Sequence, residues 1–326
     1  MKRQLRGGFT LTELLVVTVI MASLFGLVLV GTRSSRGLDG DIRRGAQQIA
    51  SVLLASQSLS LGNPTGSAVI IDSLGPTAEV ISHARRYPFI EGTIASGSFN
   101  PTASVQTVRL TPSNDVAGSL VHGYRIRFLD RTSDTQGPAS DWFSFSCTTP
   151  PVATVAFRGE NGQSSRTSLW PAMPASGQLS FQVARYPIPT GSVQSLPKGV
   201  AIDLRYSGYG DAAAWASLAN RGAIAVGFDS VGSIDTIMQN VLPADGASRT
   251  VQPVSPAEEV YLFVTSKSDA ETPAVNPLAN DKALWVVVHP KSGRVTVSAN
   301  VPQQANDAAA LWAAREKARK GITLGG

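Results

Sequence analysis

Cysteine is nearly absent from these 326 residues: Cys147 stands alone. No intrachain disulfide can brace the fold, which excludes a small disulfide-scaffolded domain. The thiol follows Trp142-Phe143-Ser144-Phe145-Ser146, an alternating strand-like run, so it is expected to be buried as a small hydrophobe. Histidine is scarce too, and His83, His122 and His289 are not spaced as metal ligands on one local element. The chain has no Gly-x-Ser-x-Gly elbow, no phosphate-cradling glycine loop and no paired-cysteine motif. Gly208-Tyr209-Gly210-Asp211 carries half of a glycine loop and reads as a turn. Asp229, Asp235, Asp269, Glu271 and Asp281 are scattered through loops rather than gathered into a calcium-binding run. No catalytic residue, cofactor or metal ligand is therefore named, and the chain is not expected to be an enzyme.

Aromatic residues make up only 7% and charged residues 16%, while 30 glycines and 20 prolines punctuate the chain. That balance suits a loop-rich, exported β protein better than a helical enzyme. Short strands are expected around Val69–Ile71, Val108–Leu110, Tyr124–Leu129, Trp142–Phe145, Val155–Phe157, Leu179–Val183, Val200–Leu204, Ile224–Phe228, Val260–Val264 and Leu284–Val288. The last of these runs through Pro290-Lys291-Ser292-Gly293 into Arg294-Val295-Thr296-Val297, a hairpin in which Gly293 supplies the positive φ. Helical signals stand at the two ends. Ile42, Ala46, Ile49 and Leu53 form one apolar stripe over residues 41–61, with Asp41 as its cap and Gly62-Asn63-Pro64-Thr65-Gly66 as its stop. A second helix is expected at about residues 307–320, capped by Asn306 or Asp307. Trp312, Arg315, Lys317, Arg319 and Lys320 in that helix contain the elements of a single-strand nucleic-acid binder, but the plainer expectation is a solvated helix with an apolar face of Ala308, Leu311, Trp312 and Ala318.

Long apolar runs occur once, and the one present is unusual. Lys2, Arg3 and Arg6 precede Gly7-Gly8, then Phe9-Thr10-Leu11-Thr12-Glu13, and then an almost unbroken apolar stretch from Leu14 to Gly31. At about 1.5 Å per residue, residues 9–31 reach on the order of 34 Å, enough to cross a bilayer core. The basic flank favours a cytoplasmic N-terminus, although Arg33 and Arg36 dilute the asymmetry. The small pair Gly7-Gly8 precedes the apolar run, whereas a secretory signal keeps its cleavage site beyond it. Glu13 costs roughly 2.5 to 3.5 kcal/mol inside a membrane helix, so it needs a partner or a task.

Arg6-Gly7-Gly8 followed by Phe9-Thr10-Leu11-Thr12-Glu13-Leu14-Leu15 resembles the class III signal of type IV pilins and type II secretion pseudopilins. The resemblance implies cleavage between Gly8 and Phe9 by a prepilin peptidase, N-methylation of Phe9, and pairing of Glu13 with the new amine of a neighbouring subunit. It implies an α+β, pilin-like fold, with a long N-terminal transmembrane/amphipathic helix packed on a mostly antiparallel β-sheet domain. Residues 1–8 would be the leader, 9–61 the helix (9–31 transmembrane, 41–61 amphipathic) and 62–326 a periplasmic β-rich domain. Loss of Lys2, Arg3 and Arg6 would leave 25 basic and 23 acidic side chains, so nucleic acid is not expected as a partner. The implied role is a minor pseudopilin in the inner membrane, single-pass, whose partners are other pilin subunits, the prepilin peptidase/N-methyltransferase and an inner-membrane assembly platform. A type IV pilus minor pilin in adhesion, motility or DNA uptake, and a signal-anchored periplasmic enzyme, stay open beside it. Leu196-Pro197-Lys198-Gly199-Val200, Val226–Gly232 and the hairpin around Ser292-Gly293 are similar to minor pseudopilins of the GspH/FimT type. This chain is longer than that type, and the excess, about residues 85–195, reads as an elaboration of the β domain.

Overall fold

A computed structural model describes residues 37–73, 75–95, 105–113, 117–130, 137–138, 143–156, 178–210, 216–217, 221–241, 250–254, 256, 258–272 and 274–321. Helix α1 covers residues 37–60, and strands β1 (Ser67–Ser73) and β2 (Thr77–Arg85) follow it. Next come β3 (Ile90–Ala95), β4 (Val105–Pro112), β5 (Gly123–Asp130), β6 (Gly137–Pro138), β7 (Phe143–Thr149), β8 (Val152–Ala156) and β9 (Gln178–Arg185). The chain continues through β10 (Ile188–Pro189), β11 (Gln194–Ser195), β12 (Val200–Tyr209), β13 (Ala216–Ser217), β14 (Arg221–Phe228), β15 (Ile234–Val241), β16 (Thr250–Val254) and β17 (Val260–Ser266). It closes with α2 (Lys267–Glu271), β18 (Leu284–Val288), β19 (Val295–Ala299) and α3 (Ala308–Arg319).

Two antiparallel sheets result. The larger runs β16-β15-β14-β1-β2-β12-β17-β18-β19, with β10 and β11 on β2 and β13 on β12. Its central strands read as continuous apolar runs because both faces are covered. Val260, Leu262 and Val264 of β17 and Leu284, Val286 and Val288 of β18 join Ile42, Ala46, Ile49, Val52 and Leu53 of α1 in one buried cluster. The intervening Tyr261, Phe263, Trp285 and Val287 face the other way, onto Leu311, Ala314 and Ala318 of α3. Asp307 caps α3: the Ala310 N–H donates to its Oδ1 at 2.8 Å.

The smaller sheet closes on itself. β5 pairs with β9 as well as with β7, so β5-β7-β8-β4-β3-β9 form a six-stranded barrel, with β6 alongside β5. Alternate residues fill its interior, among them Ile94, Leu110, Ile126, Phe128, Phe143, Val155, Phe181 and Val183. The Phe128 and Phe143 rings lie 5.5 Å apart, and Leu120 from the 3-10 turn Ala117–His122 joins the same cluster. Cys147 is buried there, its Sγ donating to the Val152 carbonyl at 3.3 Å, and burial pushes the thiol up. Gly92 permits a close backbone crossing, since a Cβ at that position would come within 2.1 Å of the Thr111 carbonyl oxygen.

The barrel is an insertion into the larger sheet. The chain leaves at Arg85 and returns at Ile188, and these two residues are paired across β2 and β10. Replacing residues 88–185 with a short glycine linker is therefore expected to leave a cooperatively unfolding sheet. Its thermal midpoint should lie within about 10 °C of the parent, as for a change of about 1–2 kcal/mol. Loss of the fixed Trp285 near-ultraviolet dichroism in that variant would show instead that the two units fold together.

Several expectations are corrected. The described residues form a mostly antiparallel β protein in place of the α+β class built on a long N-terminal transmembrane/amphipathic helix. Sheet pairing across the chain, rather than one long helix, supplies the framework. Among the described residues no helix is long and apolar enough to cross a membrane, so single-pass inner-membrane anchoring is not supported. The run 9–31, the leader 1–8, and Gly8, Phe9 and Glu13 lie outside the described residues. Asp41 does not cap α1: the helix is already formed at residue 37, and Asp41 pairs within it with Arg44.

Candidate functional site

The barrel is bracketed by the same tripeptide twice, Arg86-Tyr87-Pro88 on the way out and Arg185-Tyr186-Pro187 on the way back. Proline at both crossings removes a donor and biases the preceding tyrosine to extended backbone. Where the crossings meet the first sheet lies a cleft of about 440 Å³, lined by Tyr87, Phe89, Glu91, Arg185, Asp229 and Asp235, among others. Arg86 anchors it. Its two terminal nitrogens donate to the two carboxylate oxygens of Asp235 at 2.7 and 2.8 Å, and Nη1 also reaches the Phe228 carbonyl at 3.0 Å. Glycines make room for this buried guanidinium, since a Cβ on Gly66 would sit 3.2 Å from Nη1 and one on Gly227 3.3 Å from Cζ. Such a bidentate pair fixes direction as well as distance.

Arg185 lies 4.4 Å over the Tyr87 ring and donates to the Pro88 carbonyl at 3.3 Å. Burial pushes its guanidinium down, while Tyr87 opposes the shift. On the barrel wall Gln182 bridges Glu91 and Arg127: its amide nitrogen donates to Glu91, and its oxygen accepts from Arg127 Nε at 2.9 Å. Arg127 also stands 5.6 Å over the Phe89 ring, and burial lowers it against the raising influence of Glu91 and Asp235. Asp229 Oδ1 accepts from the Val231 and Ser233 backbone amides at 3.0 and 2.8 Å, closing the turn at the cleft's rim. These contacts order a junction. The lining supplies aromatic walls, paired charges and the hydroxyls of Thr65, Ser113 and Ser230.

Other polar groups prove structural. Ser56 Oγ lies 2.9 Å from His83 Nδ1, a contact of the kind that activates a nucleophile, but Ser56 is fully buried on the sheet-facing side of α1 and also donates to the Ala68 carbonyl. His289 Nδ1 lies 3.4 Å from Glu259 Oε1 at a turn. Asp203 is fully buried. Burial drives its carboxyl up, and Arg205, donating from Nε and Nη2 at 3.0 and 2.7 Å, works against that rise. Arg205 also reaches the Ala270 carbonyl at 2.6 Å, which pins α2 over a register shift in β12. Among the described residues no group of three or more His, Cys, Asp or Glu is placed to hold a metal.

The sequence-named acids separate. Asp229 and Asp235 share the cleft, whereas Asp269 and Glu271 lie in α2. Arg315, one of the basic residues of the last helix, is 1% exposed rather than solvated. It donates to the Tyr206 carbonyl at 2.6 Å and lies 5.0 Å over the Tyr261 ring. Burial pushes this guanidinium down to about 9, and the Tyr261 phenol up to about 12. The signal for its burial was available: Arg315 falls four residues after Leu311, on the apolar stripe. Comparison of the chain with protein-family models, with curated proteins and with solved structures finds no match in any of the three.

Proposed function

We propose that the chain is a structural subunit of a pilin-like filament, a minor pseudopilin of a type II secretion pseudopilus. It would be processed between Gly8 and Phe9 and assembled through its N-terminal segment. The observation that carries this is the order Arg6-Gly7-Gly8-Phe9 with Glu13 at the head of an apolar run. A lone carboxylate in a dry helix bundle is penalised unless a cation meets it, and cleavage after Gly8 creates one at Phe9. Pairing Glu13 with the Phe9 amine of the next subunit sets the stagger, and close packing of the apolar segments supplies the rest of the association. The partners are subunits of the same kind, the prepilin peptidase/N-methyltransferase and an assembly platform. The amphipathic α1 supports the role only in that its Ile42, Ala46, Ile49 and Leu53 pack on the larger sheet.

Mass spectrometry of the full chain, co-expressed with a prepilin peptidase, is expected to find a species of residues 9–326 carrying one N-methyl group. A Glu13→Val chain should be processed equally and recovered with its partner subunits at least about tenfold less. An intact leader in the presence of active peptidase, or undiminished co-assembly of Glu13→Val, would overturn the proposal.

A further inference from the structure

Strand β19 ends the larger sheet, and among the described residues only β18 pairs with it. The hydrogen bonds at its two ends fix which way its backbone groups turn. The Asn300 N–H donates to the Ala283 carbonyl at 3.0 Å, and the His289 N–H to the Arg294 carbonyl at 2.9 Å. The antiparallel alternation between those points makes Trp285–Ser298 and Val287–Thr296 the bonded pairs. The N–H and C=O groups of Val295, Val297 and Ala299 therefore point outward, away from the sheet. Native edges are usually blunted by proline, charge or a bulge. The opposite edge, β16, carries Pro253. In β19 the run Val-Thr-Val-Ser-Ala has neither proline nor charge, and its pairing shows no register shift.

The surroundings of this edge are basic. Lys291 and Arg294 precede the strand and are exposed. At its far end Ser298 Oγ donates to the Ala318 carbonyl of α3 at 2.9 Å. That contact sets the last turn of α3, which carries exposed Lys317, Arg319 and Lys320, against one face of β19; Lys320 is paired to Glu316, and Arg319 acts on Tyr261. Val295, Val297 and Ala299 are half-buried against the α1-side core, so an added strand would extend an apolar face on that side.

We infer that β19 accepts one further strand: an extended segment of a partner protein, apolar at alternate positions and flanked by acidic residues. Backbone pairing holds it, and the basic flanks select its charge. The inference rests on the edge alone and is independent of N-terminal processing.

The test is fluorescence anisotropy of the full chain with a labelled peptide of alternating valine and threonine, with two glutamates at each end. Saturable binding is expected, about tenfold or more weaker for the same peptide with lysine ends. Val297→Pro removes an outward N–H without touching the β18 ladder, and should weaken binding by about tenfold or more. Should that variant not fold, slowed hydrogen exchange at Val295, Val297 and Ala299 of the parent on peptide addition reads out the same contact. Three results would overturn the inference: equal binding of both peptides, no exchange protection at the three amides, or displacement of the peptide by a single-stranded oligonucleotide. A dimer of the free chain that Val297→Pro dissolves would instead make the occupant a second copy, and would overturn it too.

Discussion

Replacing Trp285 with alanine is expected to cost about 3 to 5 kcal/mol of unfolding free energy, measured by denaturant titration. The indole is fully buried at the centre of the face covered by α3. Its ring lies 4.6 Å from that of Phe263 at a tilt of 49° and meets Tyr261 edge-on at 6.2 Å, so the variant loses both ring contacts and gains a cavity. Its Nε1 donates to Asn300 Oδ1 at 3.1 Å, while the Asn300 amide nitrogen donates to the Leu278 and Asn280 carbonyls. Asn300 thus ties β18 to the loop that carries α3, and losing the indole leaves a buried acceptor without its donor. Trp285→Phe, which keeps a ring but not the donor, should cost about 1 to 3 kcal/mol. Equal losses for the two variants would mean that the hydrogen bond, rather than ring packing, dominates. Typical domains hold only about 5–15 kcal/mol, so the alanine change removes a large fraction of what is there.

The strands that sequence made legible are those with a clean pattern. Val260–Val264 and Leu284–Val288 are unbroken apolar runs because both faces are buried, and Leu179–Val183 alternates because only the barrel interior is dry. Strand β15 was not legible. Asp235, Thr236, Gln239 and Asn240 interrupt its pattern, and the first of these is there to meet Arg86 rather than to face solvent. β3 was hidden by Gly92, which breaks the strand signal where the barrel needs a close backbone crossing. Barrel closure was invisible for a different reason. The pairing of β5 with β9 joins residues more than fifty positions apart, and no local period encodes such a contact. The junction cleft was missed because its signal is a repeated Arg-Tyr-Pro about a hundred residues apart, with meaning only once the two copies lie side by side. Arg315 shows the reverse failure. Its residue type suggested solvent, and its helical position, four residues after Leu311, was the better guide.

Gly293→Ala is expected to destabilise the fold by about 3 kcal/mol or more, because two penalties fall on one methyl group. Gly293 has φ +62, where an alanine pays about 1–2 kcal/mol in the left-handed region. The new Cβ would also lie 1.9 Å from the Gly232 carbonyl oxygen and 2.4 Å from Gln57 Nε2. Those neighbours are not free to withdraw. Gln57 donates to the Gly232 and Ser292 carbonyls at 3.3 and 2.8 Å, and Ser233 Oγ donates to the Lys291 carbonyl at 2.7 Å. The end of α1, the turn before β15 and the turn before β19 are thus held by one another, and moving any of them releases the rest. Gly191→Ala isolates the backbone cost: its φ is +89, but a Cβ there meets nothing within 4 Å. That control should lose only about 1 kcal/mol, so the difference between the two variants reads the overlap itself. A Gly293→Ala protein no less stable than Gly191→Ala would show that the three elements slide apart cheaply and that α1 is not clamped to the sheet at its C-terminal end.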